Sequence, residues 1–302
     1  MVTRLFVCMA FSPFLLGVMG KTKAFFAGRK GTPYLQLYYD IFKLFQKGSV
    51  YSRTTTWIFR AAPCVSVAAV LTASFLIPFG SLRAPIQFWG DVICFVYLLG
   101  LARFFVILAA LDTGSSFEGM GASREAAFAC LSEITLFLNL AALAVLSKNF
   151  SLSHMIGEHP WFSWTTMGPC LVLIILSYFM ILLVENSRIP IDDPATHLEL
   201  TMIHEVMVLD HSGPDLAFIL YAGAMKFFVL GSFLITLFIP FQFHNKITNA
   251  VVFLSGMILL AVAVGGVESM MARLKLNHVP LFIIASFVLA SIGLIIALVR
   301  VS

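Results

Sequence analysis

The 302-residue chain has fifteen Asp and Glu, and six of them fall within residues 185–213, ENSRIPIDDPATHLELTMIHEVMVLDHSG. They are Glu185, Asp192, Asp193, Glu199, Glu205 and Asp210, with Asp215 following directly. Carboxylates that are crowded and partly shielded from water have raised pKa values, through desolvation and like-charge repulsion. Raised values allow proton exchange near neutral pH. Such a cluster therefore either meets water and a partner or moves protons. Ionisable positions are also set in apolar sequence or at its edge: Arg103, Glu133 and Lys226, together with Glu185 of the cluster. A charge at the bilayer centre costs roughly 2.5–3.5 kcal/mol even on a lenient insertion scale. Glu133 and Lys226 fall near the middle of apolar segments and are expected to face a bundle interior. They form either a buried ion pair or a step in a proton path, and the further acids at Glu185, Asp192 and Asp193 favour the path.

Metal chemistry fits these residues poorly. His197, His204 and His211 recur every seven residues. On one helix face they stand ~10 Å apart, at about 1.5 Å per residue, too far to share an ion. His204-Glu205 opens an H-E-x-x-H pattern, but position 208 is valine, so a zinc protease is excluded. The five cysteines (Cys8, Cys64, Cys94, Cys130 and Cys170) form no C-x-x-C pair, and their spacing supports neither a disulfide framework nor a zinc or iron–sulfur site.

The elements that carry these residues are set by composition. The chain is 60% hydrophobic and 11% charged, against about 25% charged in soluble domains. Its apolar residues come in blocks of about 20, the length that crosses a bilayer. The fold class is all-α: a polytopic membrane protein forming one integral membrane domain over 1–302, with eight spans at 3–20, 58–80, 86–110, 125–147, 165–185, 215–240, 247–267 and 279–299. The first span is read as an uncleaved anchor, because its positive charge follows rather than precedes the apolar run. Lys21, Lys23, Arg29, Lys30, Lys43, Lys47 and Arg53 put the first loop on the cytoplasmic side, with Arg124, Arg188, Arg273 and Lys275 marking later loops on the same side. Cytoplasmic loops are thus expected at about 21–57, 111–124, 186–214 and 268–278, with both termini on the outer face of the inner membrane. The net charge of +4 follows from this topology and does not point to nucleic acid.

Two loop helices are expected. One spans about 33–47, with Leu35, Tyr38, Ile41, Phe42 and Phe45 on one face and Gln36, Asp40, Lys43 and Lys47 on the other. It suits either the bilayer interface or packing on the spans. The second runs over 194–211, with Asp193 as N-cap, Pro194 at its first position and Gly213 as its stop.

Three segments resemble subunit 1 of respiratory complex I and, more closely, its counterpart in membrane-bound [NiFe]-hydrogenases of the formate hydrogenlyase type. Leu35-Gln36, Asp40, Lys43-Leu44 and Lys47 follow the pattern L-Q-x-x-x-D-x-x-K-L-x-x-K. Gly121-Ala122, Arg124 and Glu133 follow G-A-x-R with a glutamate nine residues on, and Glu185, Arg188, Pro190, Asp192 and Pro194 follow E-x-x-R-x-P-x-D-x-P. Asp91 is a further family-like position. Gly223 stands where complex I members carry a glutamate, with Lys226 one turn later, and the runs 110–125 and 193–205 resemble the hydrogenase branch.

The resemblance implies a subunit that docks a soluble redox arm and links electron transfer to proton translocation. Glu133, Glu185, Asp192, Asp193, Glu199, Glu205, Asp210 and Lys226 would carry the coupling, joined by Asp112 and Glu118. Arg188, Arg124 and Asp91 would be structural or charge partners, and Gln36, Asp40, Lys43 and Lys47 would dock the arm. No cofactor is expected in this chain; the [NiFe] centre and iron–sulfur clusters are expected on partners. Those partners are the hydrogenase large and small subunits, an iron–sulfur electron carrier and antiporter-like membrane subunits. The competing readings are a quinone-site subunit of complex I and a stand-alone ion transporter.

Overall fold

The structure is a computed structural model that describes residues 2–80, 84–156, 164–192, 203–239 and 245–301. Ten α-helices follow in chain order: α1 Val2–Phe26, α2 Gln36–Phe45, α3 Trp57–Leu76, α4 Asp91–Asp112, α5 Ser116–Ser147, α6 Leu152–Ile156, α7 Trp164–Glu185, α8 Gly213–Phe238, α9 Lys246–Met270 and α10 Val279–Val301. Among the described residues there is no strand, and eight helices are long and apolar enough to cross a membrane. The chain is an all-α polytopic membrane protein.

The helix starts have local causes. Thr56 accepts the N–H of Ile58 at 3.3 Å to open α3, and Asn245 accepts that of Ile247 at 3.0 Å to open α9. Pro214 opens α8, where its missing N–H costs nothing. α8 is the central helix: it touches α1, α2, α3, α7 and α9, and most of its residues are buried. Around it α3 packs on α4, α5 and α7 pack on α10, and α1 packs on α9. The α1–α9 contact is close, because Gly265 presses on Thr22 and the Met19 carbonyl. The core fills with Phe59, Phe95, Phe227, Phe228, Phe233 and Tyr178.

Three expectations are corrected. α5 begins at Ser116, so the expected loop 111–124 shrinks to 113–115, and Glu118, Arg124 and Glu125 ride on the helix. Its 32 residues span roughly 48 Å at 1.5 Å per residue, well beyond a ~30 Å hydrocarbon core. The helix expected over 194–211 is not formed in its described part: residues 205–208 make one 3₁₀ turn, Glu205–Val208, and 193–202 lie outside the described residues. α2 is shorter than expected and uses a different face. Tyr38 and Ile41 turn inward, but Leu35, Phe42 and Phe45 stay exposed along with Tyr39. Tyr38 donates to the Ala10 carbonyl of α1, and Phe45 meets Phe218 of α8 edge-on at 5.3 Å. The helix thus packs on the spans with one side and leaves an apolar stripe uncovered on the other.

A buried charge cluster beneath the acidic loop

Four helices deliver five ionisable side chains to one place. Arg103 of α4 is the hub. It meets Glu185 at the end of α7 in a close ion pair, Glu133 of α5 at 3.2 Å and Glu125 of α5 at 3.5 Å. Lys226 of α8 reaches the same Glu185 oxygen at 2.8 Å, and Ser132 donates to the other at 2.9 Å. On α5, residues 125, 132 and 133 are seven and eight apart, so they share one helix face. Gly100 of α4 makes room for the Glu133 carboxylate, since a Cβ there would stand 3.3 Å from Oε1. Among the described residues, three carboxylates face two cations in this cluster. Buried charges lose much of their solvation, and their mutual attraction offsets that cost.

The expected interior position of Glu133 does not hold. Its side chain is 38% exposed and lies in a groove on the outer face of α4 and α5, lined by Tyr97, Leu101 and Phe104. The reason is register: Glu133 leans back over Gly100 to reach Arg103, while Ser132 before it turns inward to Glu185 and Ile134 after it is exposed. Lys226 is mostly enclosed, at 15%.

A cavity of about 140 Å³ joins this cluster to the acidic loop. Arg103, Glu125, Glu185 and Lys226 line one part, and Arg188, Asp192, His204 and Glu205 line another. Asp192 is buried and accepts the backbone N–H of His204 at 3.0 Å. Gly223, at the position that separates the branches in the sequence, lines the same space. Asp193 and Glu199 lie outside the described residues.

The other expected residues are placed elsewhere. Asp112 does not join the cluster; it accepts the Thr56 N–H at 2.6 Å and so ties the end of α4 to the start of α3. Glu118 is buried and accepts the Asp210 N–H at 3.0 Å, holding the acidic loop to α5, while Asp210 itself is exposed. Asp91 lies at the opposite end of the bundle and accepts the Leu152 N–H at 2.7 Å and the Ser151 hydroxyl at 2.9 Å. Arg124 is half-buried beside Glu125. Gln36 and Asp40 bond to one another at 2.8 Å, with Lys43 and Lys47 exposed alongside.

Arg188 finds its carboxylate in Glu268 of α9, at 3.7 Å, and Lys23 of α1 reaches Glu268 from the other side at 3.1 Å. The Leu274 N–H also bonds the Pro190 carbonyl at 2.9 Å, next to the cis Ile189–Pro190 peptide. Sequence reasoning missed Glu268 because it falls just past the expected end of a span. An isolated acid at a span boundary, on the side rich in Lys and Arg, was the available signal. Glu125 was likewise present in the 110–125 run but given no role. His211, also on the loop, stacks on Phe59 with ring centroids 3.9 Å apart, and burial pushes its imidazole down to about 4. The loop is thus held to α3, α4 and α5 by short, specific contacts.

A polytopic helical bundle with a charge cluster under a loop-rich end defines a class of integral membrane protein. The chain belongs to the family described as NADH dehydrogenase, which it matches over residues 1–299. It is 30% identical to formate hydrogenlyase subunit 4 of Escherichia coli K12, over 93% of this chain and 92% of that one. It is 30% identical to hydrogenase-4 component C of the same organism, over 90% and 88%. A subunit of the NADH-quinone oxidoreductase of Rubrobacter xylanophilus is more distant, at 26% over 70% of this chain and 68% of that one. The fold is shared with a chain of the membrane-bound sulfane sulfur reductase, an archaeal respiratory membrane complex, at a TM-score of 0.82 and 21% identity, covering 98% of this chain and 99% of that one.

Proposed function

We propose that the chain is the membrane anchor and coupling subunit of a complex I-like, membrane-bound [NiFe]-hydrogenase of the formate hydrogenlyase type. The observation that carries this reading is the surplus carboxylate of the Arg103 cluster, connected through the cavity to the acidic loop. In this reading the loop end faces the cytoplasm of the inner membrane. It receives hydrogenase large and small subunits and an iron–sulfur carrier, whose [NiFe] and iron–sulfur centres do the redox chemistry. The polar edge of α2 (Gln36, Asp40, Lys43 and Lys47) and the loop 203–212 form the platform. A redox event in the arm changes the charge or position of the loop. Asp192 and Glu118, which hold it, pass that change to Glu185 and Glu133, and antiporter-like membrane subunits receive it across the bilayer.

The energetic scale fits a linker. One charge crossing 100 mV is worth ~2.3 kcal/mol, which the redox partners must supply. The test is proton uptake by vesicles that carry the intact complex, measured beside hydrogen-linked electron transfer. Glu185→Gln is expected to abolish uptake per electron while the complex stays assembled. Normal uptake in that variant overturns the coupling role, and bound quinone extracted from the purified complex favours the complex I reading instead.

A further inference from the structure

Of the groups lining the cavity, His204 stands apart in chemistry. Glu185 is tied to two cations and Glu125 to Arg103. Arg188 is tied to Glu268. Histidine is the side chain whose unperturbed pKa, about 6.5, puts a charge change near neutral pH. The backbone of His204 is pinned, because its N–H is held by Asp192 at 3.0 Å. Its ring is half-buried at the loop end of the cavity, and Nδ1 is buried with no hydrogen-bond partner among the described residues. A buried ring nitrogen without a partner carries a desolvation cost, which water in a polar space offsets. The cavity has room for several waters; its walls are largely apolar, and Arg103, Glu125, Glu185, Asp192, Glu205 and Lys226 among its lining supply the polar partners that waters need.

We infer that His204 is the proton-exchanging residue at the mouth of a hydrated chamber, through which the Arg103–Glu185–Lys226 cluster communicates with the loop side. The step is a plain proton transfer. Nδ1 takes an excess proton that reaches it as hydronium along the chamber waters, leaving neutral water; the positive imidazolium is balanced by Asp192 and Glu205 at the same mouth, and the proton returns to those waters as hydronium when the loop charge changes. The titratable and charged groups facing it are Asp192 and Arg188 from the segment after α7, Glu205 on its own turn, Arg103 from α4, Glu125 from α5, Glu185 from α7 and Lys226 from α8. The inference rests on the coupling role proposed above and names the residue that loads it.

The test is a histidine-selective NMR titration of the full-length chain in lipid nanodiscs, with the His204 signal assigned by its loss in His204→Gln. The readout is the direction in which its protonation midpoint moves between variants. Glu185→Gln removes a negative charge from the chamber and should lower the midpoint by at least ~0.3 unit, about twofold in proton affinity. Lys226→Met removes a positive charge and should raise it by a similar amount, so a folding failure in one variant leaves the other to decide. A His204 midpoint that is the same in both variants overturns the inference. Loss of proton uptake in the Glu185→Gln complex with an unmoved His204 midpoint overturns the relay alone. Normal uptake in that complex overturns the coupling role and the relay together.

Discussion

Two buried ion networks lie at the same end of this bundle, and they are built in opposite senses. Around Arg103 and Lys226, three carboxylates outnumber two cations, and one of the three, Glu133, opens to an outer groove. Around Glu268, two cations outnumber one carboxylate whose side chain is fully enclosed. Taken together the two networks are neutral. The first lines an adjacent cavity and, among the described residues, holds more carboxylates than cations. The second has no surplus acid; it fastens α1, α9 and the segment after α7 to one another. Arg188 is the member of the second network that also touches the cavity. One network is thus suited to variable charge, the other to fixed geometry.

Removing one partner of a buried pair costs about 3–5 kcal/mol, because the other charge is left uncompensated. Glu185→Leu should therefore have the largest effect: it strands Arg103 and Lys226, lowers the thermal stability of the chain in detergent by about that amount and abolishes proton uptake. The double variant Glu185→Leu/Lys226→Met should recover part of the stability and none of the uptake. Recovery of both would show that the first network is merely structural.

Glu268→Ala should cost about 3 kcal/mol, toward the low end because Lys23 is partly exposed. Uptake per electron in whatever complex assembles should be normal, and a loss of coupling at full assembly breaks the distinction between the networks.

Acid should loosen the loop. His211 is buried as the neutral ring, with a folded pKa of about 4 against about 6.5 unfolded. The unfolded form thus binds more protons between these values, and stability falls as pH drops from about 6.5 to about 4, by up to ~3 kcal/mol. Hydrogen exchange of residues 203–212 should rise across that window in the wild type and stay flat in His211→Phe, which keeps the stack on Phe59.

The smallest effect belongs to Asp112→Ala. It removes a bond to the start of α3 and should cost ~1 kcal/mol, with no change in uptake. A coupling defect here would extend the first network to the end of α4.

The eight spans were legible because apolar blocks of bilayer length leave little freedom. The span ends were not: Arg124 and Glu125 look like loop residues in sequence, yet they ride on α5, which projects past the hydrocarbon. Charges inside spans singled out Arg103, Glu133, Glu185 and Lys226, because an unpaired charge there is too costly, but the ion pair considered for Glu133 and Lys226 is not the one formed: Glu133 meets Arg103 and Lys226 meets Glu185. The pairing itself, with Arg103 as hub, depends on helix rotation that periodicity does not fix in segments apolar on every side. Glu268 escaped notice for a similar reason. The seven-residue histidine spacing suggested a continuous stripe, but in its described part the chain makes one tight turn, and His204 and His211 go to different places, the cavity and Phe59.

Gly213, at φ +55°, meets the first loop backbone to backbone: a Cβ there would stand 2.7 Å from the Gly48 carbonyl oxygen and 3.1 Å from that of Lys47. Ser212 Oγ also accepts the Val50 N–H at 3.0 Å. Two segments more than 160 positions apart in the chain thus present one continuous surface before any partner arrives. Preorganisation of this kind lowers the ordering cost of association. A bulky residue at 213 should therefore weaken assembly chiefly through slower capture of the arm, with the contacts of the finished complex unchanged.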